Sequence, residues 1–221
     1  MTGWGPFIAA LAAFMLSHMI PARPAVRDRL IGVLGRTGYF TAYSGLSLLV
    51  LGWLVVTAAN APYVEVIPPY AALRWLPLLV MPVVCWLAVA GLVIRNPFSF
   101  GGLGRKPFDP SRPGILRLTR HPILLSLMLW AVLHLLVNGS LSHVILFGLF
   151  AGFAGLGMVL IDRRTARSMG ADWPRMSCNT ARLSLRAPRP WPPLWVWLIA
   201  AVAYAALLHL HTAVIGLSPL P

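Results

Sequence analysis

Acidic residues are scarce in this chain. Its 221 residues include five Asp and Glu in total, against 18 Lys and Arg. Charged side chains make up 10% of the chain, whereas soluble domains carry roughly 25%. The sequence contains no nucleophile–base pair, phosphate-binding glycine loop or carboxylate dyad. It therefore lacks the residue patterns typical of hydrolytic and phosphoryl-transfer enzymes.

Cysteine is nearly absent as well. Cys85 and Cys178 are the two cysteines, and they form neither a CxxC nor a CxxCH motif. This argues against zinc ribbons, thioredoxin-like redox chemistry and covalently attached haem. Because Cys85 lies in an apolar run and Cys178 in a basic stretch, we predict no disulfide between them.

Long apolar runs dominate the rest of the sequence, with 58% hydrophobic residues and a mean hydropathy of +0.77. The runs span residues 4–20, 39–59, 73–94, 122–137, 141–161 and 193–215. Most are near the roughly 20 residues that cross the apolar layer of a bilayer. We therefore predict an all-α, polytopic membrane helix bundle with about six transmembrane helices, forming a single domain over residues 1–221.

Basic residues follow every second run. Seventeen of the 18 lie after the first, third or fifth run, and Arg74 is the exception. The positive-inside rule places these loops in the cytoplasm and both termini outside. The net charge of +13 thus reflects orientation and contact with anionic lipid, and we predict no nucleic-acid partner. The first run lacks a preceding basic segment, which favours a retained helix over a cleavable signal peptide.

The stretch from Thr119 to Asn138 is the most informative. Pro122 suits a first helical turn, so we predict a helix from about His121 to Asn138. We expect Arg120 and His121 at the membrane surface. His134 follows about 21 Å further along the axis on nearly the opposite helix face from His121. An imidazole at that depth is expected to face the bundle interior and to have a partner.

His18 closes the first run, on one helix face with Phe7, Leu11 and Phe14. It has two readings: an interfacial histidine bonded to a backbone carbonyl or lipid phosphate, or a ligand for a bound group. Considered by itself, this run favours the interfacial reading.

The segment 96–117, between the third and fourth runs, is rich in Gly and Pro. It is too irregular for a helix and too long for a simple turn. We consider two roles for it: a lid or clasp over the cytoplasmic side, or an ordinary surface loop.

Seven short motifs carry a family resemblance. They are Ser17-His18 with Pro21-Ala22 and Arg27, Leu34-Gly35-Arg36 with Gly38-Tyr39, Pro113-Gly114-Ile115, Thr119-Arg120-His121-Pro122, Trp130 with His134, Asn138-Gly139, and Leu146-Phe147-Gly148. In order and spacing they resemble the NnrU family of bacterial membrane proteins. Ser140 stands where the family usually has an acidic residue, and the region after Arg189 matches no motif.

The resemblance implies a role in denitrification, alongside nitrite and nitric oxide reduction at the bacterial inner membrane. The family is also similar to the plant and cyanobacterial 15-cis-zeta-carotene isomerase, which binds haem b through two histidines. By motif, those ligands correspond to His18 and His134. The resemblance therefore implies haem b as cofactor, with His18 and His134 as iron ligands, and nitric oxide or an apolar, polyene-like membrane substrate as partner.

Depth along the helices gives a competing pair. His18 lies about 7.5 Å of helix from Arg23, whereas His134 lies about 21 Å from Arg120. Axial ligands of one iron lie at similar depth, so this measure pairs His18 with His121. His121 therefore stays as an alternative cofactor-binding residue.

Two other functions stay open, and with them the question of enzymatic activity. The Arg-His-Pro sequence at Arg120 and the segment 169–173 also resemble motifs of the isoprenylcysteine carboxyl methyltransferases. This resemblance implies S-adenosylmethionine as cofactor. Those enzymes carry paired acidic residues before that segment, whereas here Asp162 is followed by Arg163. The third reading is a non-catalytic assembly partner of a respiratory reductase.

Overall fold

The computed structural model describes residues 3–21, 23–101, 103–104 and 107–221, and these residues form an all-α protein. Its α-helices are α1 (Trp4–Met19), α2 (Pro24–Ala59), α3 (Trp75–Val93), α4 (Pro122–Asn138), α5 (Leu141–Met169), α6 (Trp173–Ser177) and α7 (Leu194–Ile215). Short 3-10 helices span Ala71–Arg74, Ile115–Arg117 and Gly170–Asp172. Within the described ranges, extended pairing is limited to two isolated bridges.

Six apolar helices match the six predicted runs. Four segments are long and apolar enough to cross a membrane: Pro24–Ala59, Ala71–Val93, Leu141–Ser177 and Leu194–Ile215. Two shorter apolar helices are Trp4–Met19 and Pro122–Asn138. The prediction of an all-α, multi-pass membrane protein is confirmed.

The second helix differs from the expected one because it begins at Pro24, well before the apolar run at Tyr39. Pro24 occupies the first turn, where its missing N–H costs no hydrogen bond. Gly35 then interrupts the helix with φ 69° and ψ 167°, a conformation that glycine adopts readily. The result is a basic arm, residues 24–34, joined by a kink to the apolar span.

Two compact units make up the chain, and the first comprises Met1–Ile67 and Gly139–Leu146. Here α1 packs against α2 and buries Phe7 and Phe14. The segment before α3 pairs with the start of α5: the backbone N–H groups of Val66 and Ile67 donate to the carbonyl of Gly139 at 2.9 and 3.0 Å.

The second unit comprises Pro68–Asn138 and Phe147–Pro221. In it α3 packs against both α4 and α7. The largest buried cluster lies in this unit and includes Trp86, Leu87, Phe98, Leu116 and Val196. We call the end of this unit where α3 and α5 finish and α4 and α7 begin the basic end, since arginines follow α3 and α5 there.

The loop after α3 folds back over the basic end. The N–H of Leu103 donates to the carbonyl of Leu92 at 2.7 Å. Phe98 is 1% exposed and packs edge-on against Phe108 and Trp173, at ring-centre distances of 5.4 and 5.6 Å. Of the two predicted roles, these contacts favour the clasp.

Candidate functional site

His18 lies at the end of α1 with its ring orientation fixed by the backbone. Its Nδ1 is 2.8 Å from the carbonyl oxygen of Phe14, one turn earlier. A carbonyl can only accept, so Nδ1 donates and Nε2 of the neutral ring carries the free lone pair. The imidazole also lies against aromatic rings, with centres 4.2 Å from Phe14 and 6.1 Å from Tyr43.

His134 in α4 repeats this arrangement. Its Nδ1 donates to the carbonyl of Trp130 at 2.8 Å, which again leaves the lone pair on Nε2. The ring centres of Trp130 and Phe147 are 4.8 and 5.2 Å from its own. Each of these histidines is therefore a half-buried imidazole with a fixed tautomer and aromatic neighbours.

The groups that fix the two tautomers are backbone carbonyls. The Ser17 hydroxyl also lies near Nδ1 of His18, at 3.3 Å, but the Phe14 carbonyl oxygen is closer at 2.8 Å. Asn138 donates to the carbonyl of His134 at 2.8 Å, and the hydroxyl of Ser17 donates to the carbonyl of Phe14 at 3.0 Å. In an apolar helix the carbonyl one turn earlier is the nearest acceptor, so it satisfies the imidazole first.

His121 differs from both because its side chain is enclosed by protein. The residue is fully buried, at 0% exposure, and its Nε2 lies 2.9 Å from Oδ1 of Asp162. Burial holds the pKa of His121 below its usual range, against the opposing effect of the Asp162 carboxylate. The neutral ring then donates from Nε2 to that carboxylate, so its lone pair is on Nδ1, a buried atom without a partner in the described part of the chain.

Asp162 is a buried carboxylate at the centre of a charge cluster, the Asp162 cluster, which consists of Asp162, Arg120, His121 and the exposed Arg182. Arg120 binds the carboxylate in bidentate fashion, Nε to Oδ1 at 2.9 Å and Nη2 to Oδ2 at 2.7 Å. Arg182 Nε donates to Oδ2 at 2.9 Å. Two donors reach each oxygen, so the carboxylate is an electrostatic anchor with little capacity to act as a general base.

The Asp162 cluster joins three parts of the second unit: the start of α4, the end of α5 and the segment 180–184. Arg120 stacks over Trp173, with its guanidinium carbon 5.3 Å from the ring centre. The backbone N–H of Arg120 donates to the carbonyl of Ala181 at 2.6 Å, and that of Ser184 donates to Leu118 at 2.9 Å. Thr119 adds a hydroxyl donor to the carbonyl of Arg182 at 2.8 Å.

Sequence reasoning missed this cluster. It treated Arg120 and Arg182 as surface charges and Asp162 as a departure from the methyltransferase pattern. One signal was present: Asp162 directly follows an apolar run that ends at Ile161. A carboxylate at that depth needs a cation or several hydrogen bonds, because burial of an unpaired charge is costly.

The geometry of a conventional metal centre is not found in the described ranges, where no group of three or more His, Cys, Asp or Glu side chains converges. Both cysteines are free, Cys85 buried and Cys178 exposed. Haem places different demands on a protein, because its iron takes four ligands from the porphyrin and only axial ligands from side chains.

The comparisons with known proteins address the family. Neither the comparison with curated proteins nor the comparison with solved structures found a match. The family model described as NnrU protein matches residues 6–219, nearly the whole chain. This multi-pass membrane protein therefore belongs to the NnrU family.

Proposed function

We propose that this protein binds haem b at the bacterial inner membrane, with His18 and His134 as its histidine ligands, and acts in denitrification or nitric oxide metabolism. One observation carries the proposal: in both histidines Nδ1 donates to the carbonyl one turn earlier, at 2.8 Å. When bound, haem iron supplies a centre that takes up nitric oxide and exchanges single electrons.

The surroundings of the two histidines fit a haem ligand. A hydrogen bond from Nδ1 to a carbonyl holds the ring in place and raises the basicity of Nε2, as is usual for metal-bound histidine. The aromatic rings of Phe14, Tyr43, Trp130 and Phe147 around the imidazoles offer flat apolar surface of the kind that packs against a porphyrin.

The competing ligand, His121, fits less well. Its Nε2 is committed to Asp162, and its ring is fully enclosed. The ring nitrogen that carries the lone pair, Nδ1, is itself buried, so ligation would require the packing around the ring to open. The geometry thus supports His134 over His121 as the second ligand.

The family resemblance supports nitric oxide as the small-molecule partner. His18 and His134 would hold the haem, and the iron would supply a centre to which nitric oxide can bind. An apolar, polyene-like substrate that enters from the lipid is the alternative for the same cofactor.

Absorption spectroscopy tests the proposal. We expect full-length protein, purified in detergent after haem supplementation, to show a Soret band at a stoichiometric haem content. The His18→Ala and His134→Ala variants should each shift or lose that band. His211→Ala is the matched control, because His211 also donates from Nδ1 to a carbonyl, that of Leu217 at 2.7 Å, yet is not a proposed ligand.

A folded, haem-supplemented protein without a Soret band would contradict haem binding, and so would histidine variants with an unchanged band. Heat released on titration with S-adenosylmethionine would instead support the methyltransferase reading. Co-purification with a respiratory reductase, without any cofactor, would support an assembly role.

A further inference from the structure

A groove of about 500 Å³ lies beside the basic end, outside both the Asp162 cluster and the proposed ligands. Its walls come from α3, from the first turns of α7 and from the segment 185–188. We call it the tryptophan groove, because Trp86, Trp191 and Trp197 line it. Its volume lies within the range of about 300–1,000 Å³ that is typical of small-molecule sites.

The walls of the groove are apolar and aromatic. Trp86 and Trp197 stack at a ring-centre distance of 4.9 Å, and Trp191 lies 6.1 Å from Trp197. Trp86 is 6% exposed, and its indole N–H has no hydrogen-bond partner among the residues that the structure describes. The stacked indole rings therefore form a rigid apolar wall.

The rim of the groove is cationic and suited to a membrane interface. Arg186 lines the groove and is exposed, and its guanidinium makes no ion pair within the described part of the chain. Leu185, next to it, is fully exposed and Leu183 is 60% exposed. Exposed leucines beside arginines and tryptophans are typical of a segment that lies in the headgroup layer.

We propose that the tryptophan groove binds an anionic phospholipid. The acyl chain lies against the apolar walls of α3 and α7, and the phosphate group pairs with Arg186. The choice of lipid follows from charge: a guanidinium without a protein partner at the headgroup layer favours an anionic headgroup over a zwitterionic one.

Native mass spectrometry of the full chain in detergent tests the proposal, with dioleoyl phosphatidylglycerol and dioleoyl phosphatidylcholine as probes. We expect the first phosphatidylglycerol to bind about fivefold more tightly than phosphatidylcholine. Arg186→Gln should remove this preference, because it weakens phosphatidylglycerol binding more than the binding of the zwitterionic phosphatidylcholine. Arg164→Gln is the matched control, because Arg164 is an exposed arginine of the same basic stretch outside the groove.

Two further variants separate the walls of the groove from its rim. Ala201→Phe places a large side chain in the groove at an exposed position of α7, so it should weaken the binding of both lipids without disturbing the core. Trp86→Phe, which replaces the indole by a smaller ring and so shortens the aromatic wall beside Trp197, should do the same to a smaller extent. Unchanged phosphatidylglycerol binding in Arg186→Gln and Ala201→Phe would overturn the proposal, and so would an equal loss in Arg164→Gln.

Discussion

At the residue scale, the Asp162 cluster shows how a chain with five acidic residues uses one of them. Asp162 is 2% exposed and receives donors from Arg120, His121 and Arg182. The carboxylate and two guanidiniums leave a net positive charge at this end of α5. Because every one of these donors points at a single group, loss of that group leaves several buried polar atoms unpaired.

We predict that Asp162→Asn destabilises the protein by about 3 to 5 kcal/mol, because it leaves the Arg120 guanidinium buried without its counter-charge. Thermal unfolding in detergent, followed by intrinsic fluorescence, should show a drop in Tm of about 10 °C. Asp172→Asn is the control, since the Asp172–Arg175 pair is more than two-thirds exposed on both sides and exposed pairs contribute little. Similar Tm losses in both variants would contradict this assignment.

The buried imidazole of His121 predicts a pH dependence of stability. Burial lowers its pKa, so the folded protein keeps the ring neutral, while the unfolded chain takes up a proton near pH 6.5. Acidification therefore favours the unfolded state. The stabilisation that depends on a neutral His121 is fully present above about pH 7. It declines as the pH falls through the pKa of this histidine in the unfolded chain.

His121→Gln tests this dependence, because glutamine keeps a donor near the position of Nε2 but does not titrate. We expect the Tm of the variant to fall less than that of the wild type between about pH 7 and pH 5. Parallel Tm curves for the two proteins over that window would show that His121 is not responsible.

At the element scale, the start of α4 packs closely against α3 because α3 has a glycine, Gly91, at the point of contact. A Cβ at Gly91 would lie 2.8 Å from Cγ1 of Ile123 and 2.9 Å from Cγ of Pro122. Real Cβ atoms do not approach neighbours so closely, so the two helices need glycine at this point. The contact lies directly beside His121 and thus sets the position of the Asp162 cluster.

We predict that Gly91→Ala lowers stability by about 1 to 3 kcal/mol through overpacking against α4. Gly52→Ala in α2 is the matched control, because no atom lies within 4 Å of a Cβ built there. Its Tm should stay unchanged or rise slightly, since alanine is the better helix former. An unchanged Tm in Gly91→Ala would mean that α4 shifts freely and does not constrain the Asp162 cluster.

The sequence predicts the helices better than it predicts the contacts between them. The apolar runs predict all six apolar helices, and Pro122 and Asn138 mark the ends of α4 as observed. The arm before Gly35 lies outside the predicted runs because Arg27, Asp28 and Arg29 interrupt its apolar residues, although these residues are compatible with a helix. The partners of Asp162 lie 42 residues before it and 20 after it, and no local pattern encodes a pairing across such distances.

For the histidines too, the sequence predicts the positions of the residues but not their contacts. His18 and His134 stand out in the sequence because each is a polar residue within an apolar run. Their hydrogen bonds depend on rotamers, and the rotamers depend on the aromatic side chains packed around each ring. The choice between serine hydroxyls and backbone carbonyls as partners therefore required the three-dimensional structure.

At the scale of the whole molecule, the distribution of arginines predicts the orientation in the membrane. The exposed Cys178 lies in the basic stretch after α5, and Cys85 is buried in α3. The chain thus carries its own reporter of topology. If the positive-inside rule holds, Cys178 faces the cytoplasm.

We expect a membrane-impermeant maleimide to label Cys178 in inverted membrane vesicles and to leave it unlabelled in intact spheroplasts. Cys178→Ser should abolish the labelling, because Cys85 is 6% exposed and inaccessible to the reagent. Labelling from the outside of spheroplasts would reverse the topology, with both termini inside.

The backbone bonds between residues 116–120 and 181–184 have a consequence for biogenesis. Chains leave the ribosome from the N-terminus, so Arg120 and Asp162 emerge before Arg182. The Arg120–Asp162 pair can therefore form while the N–H of Arg120 and the carbonyl of Leu116 still lack their partner, Ala181. Closure of the basic end follows only after residues 181–184 have emerged.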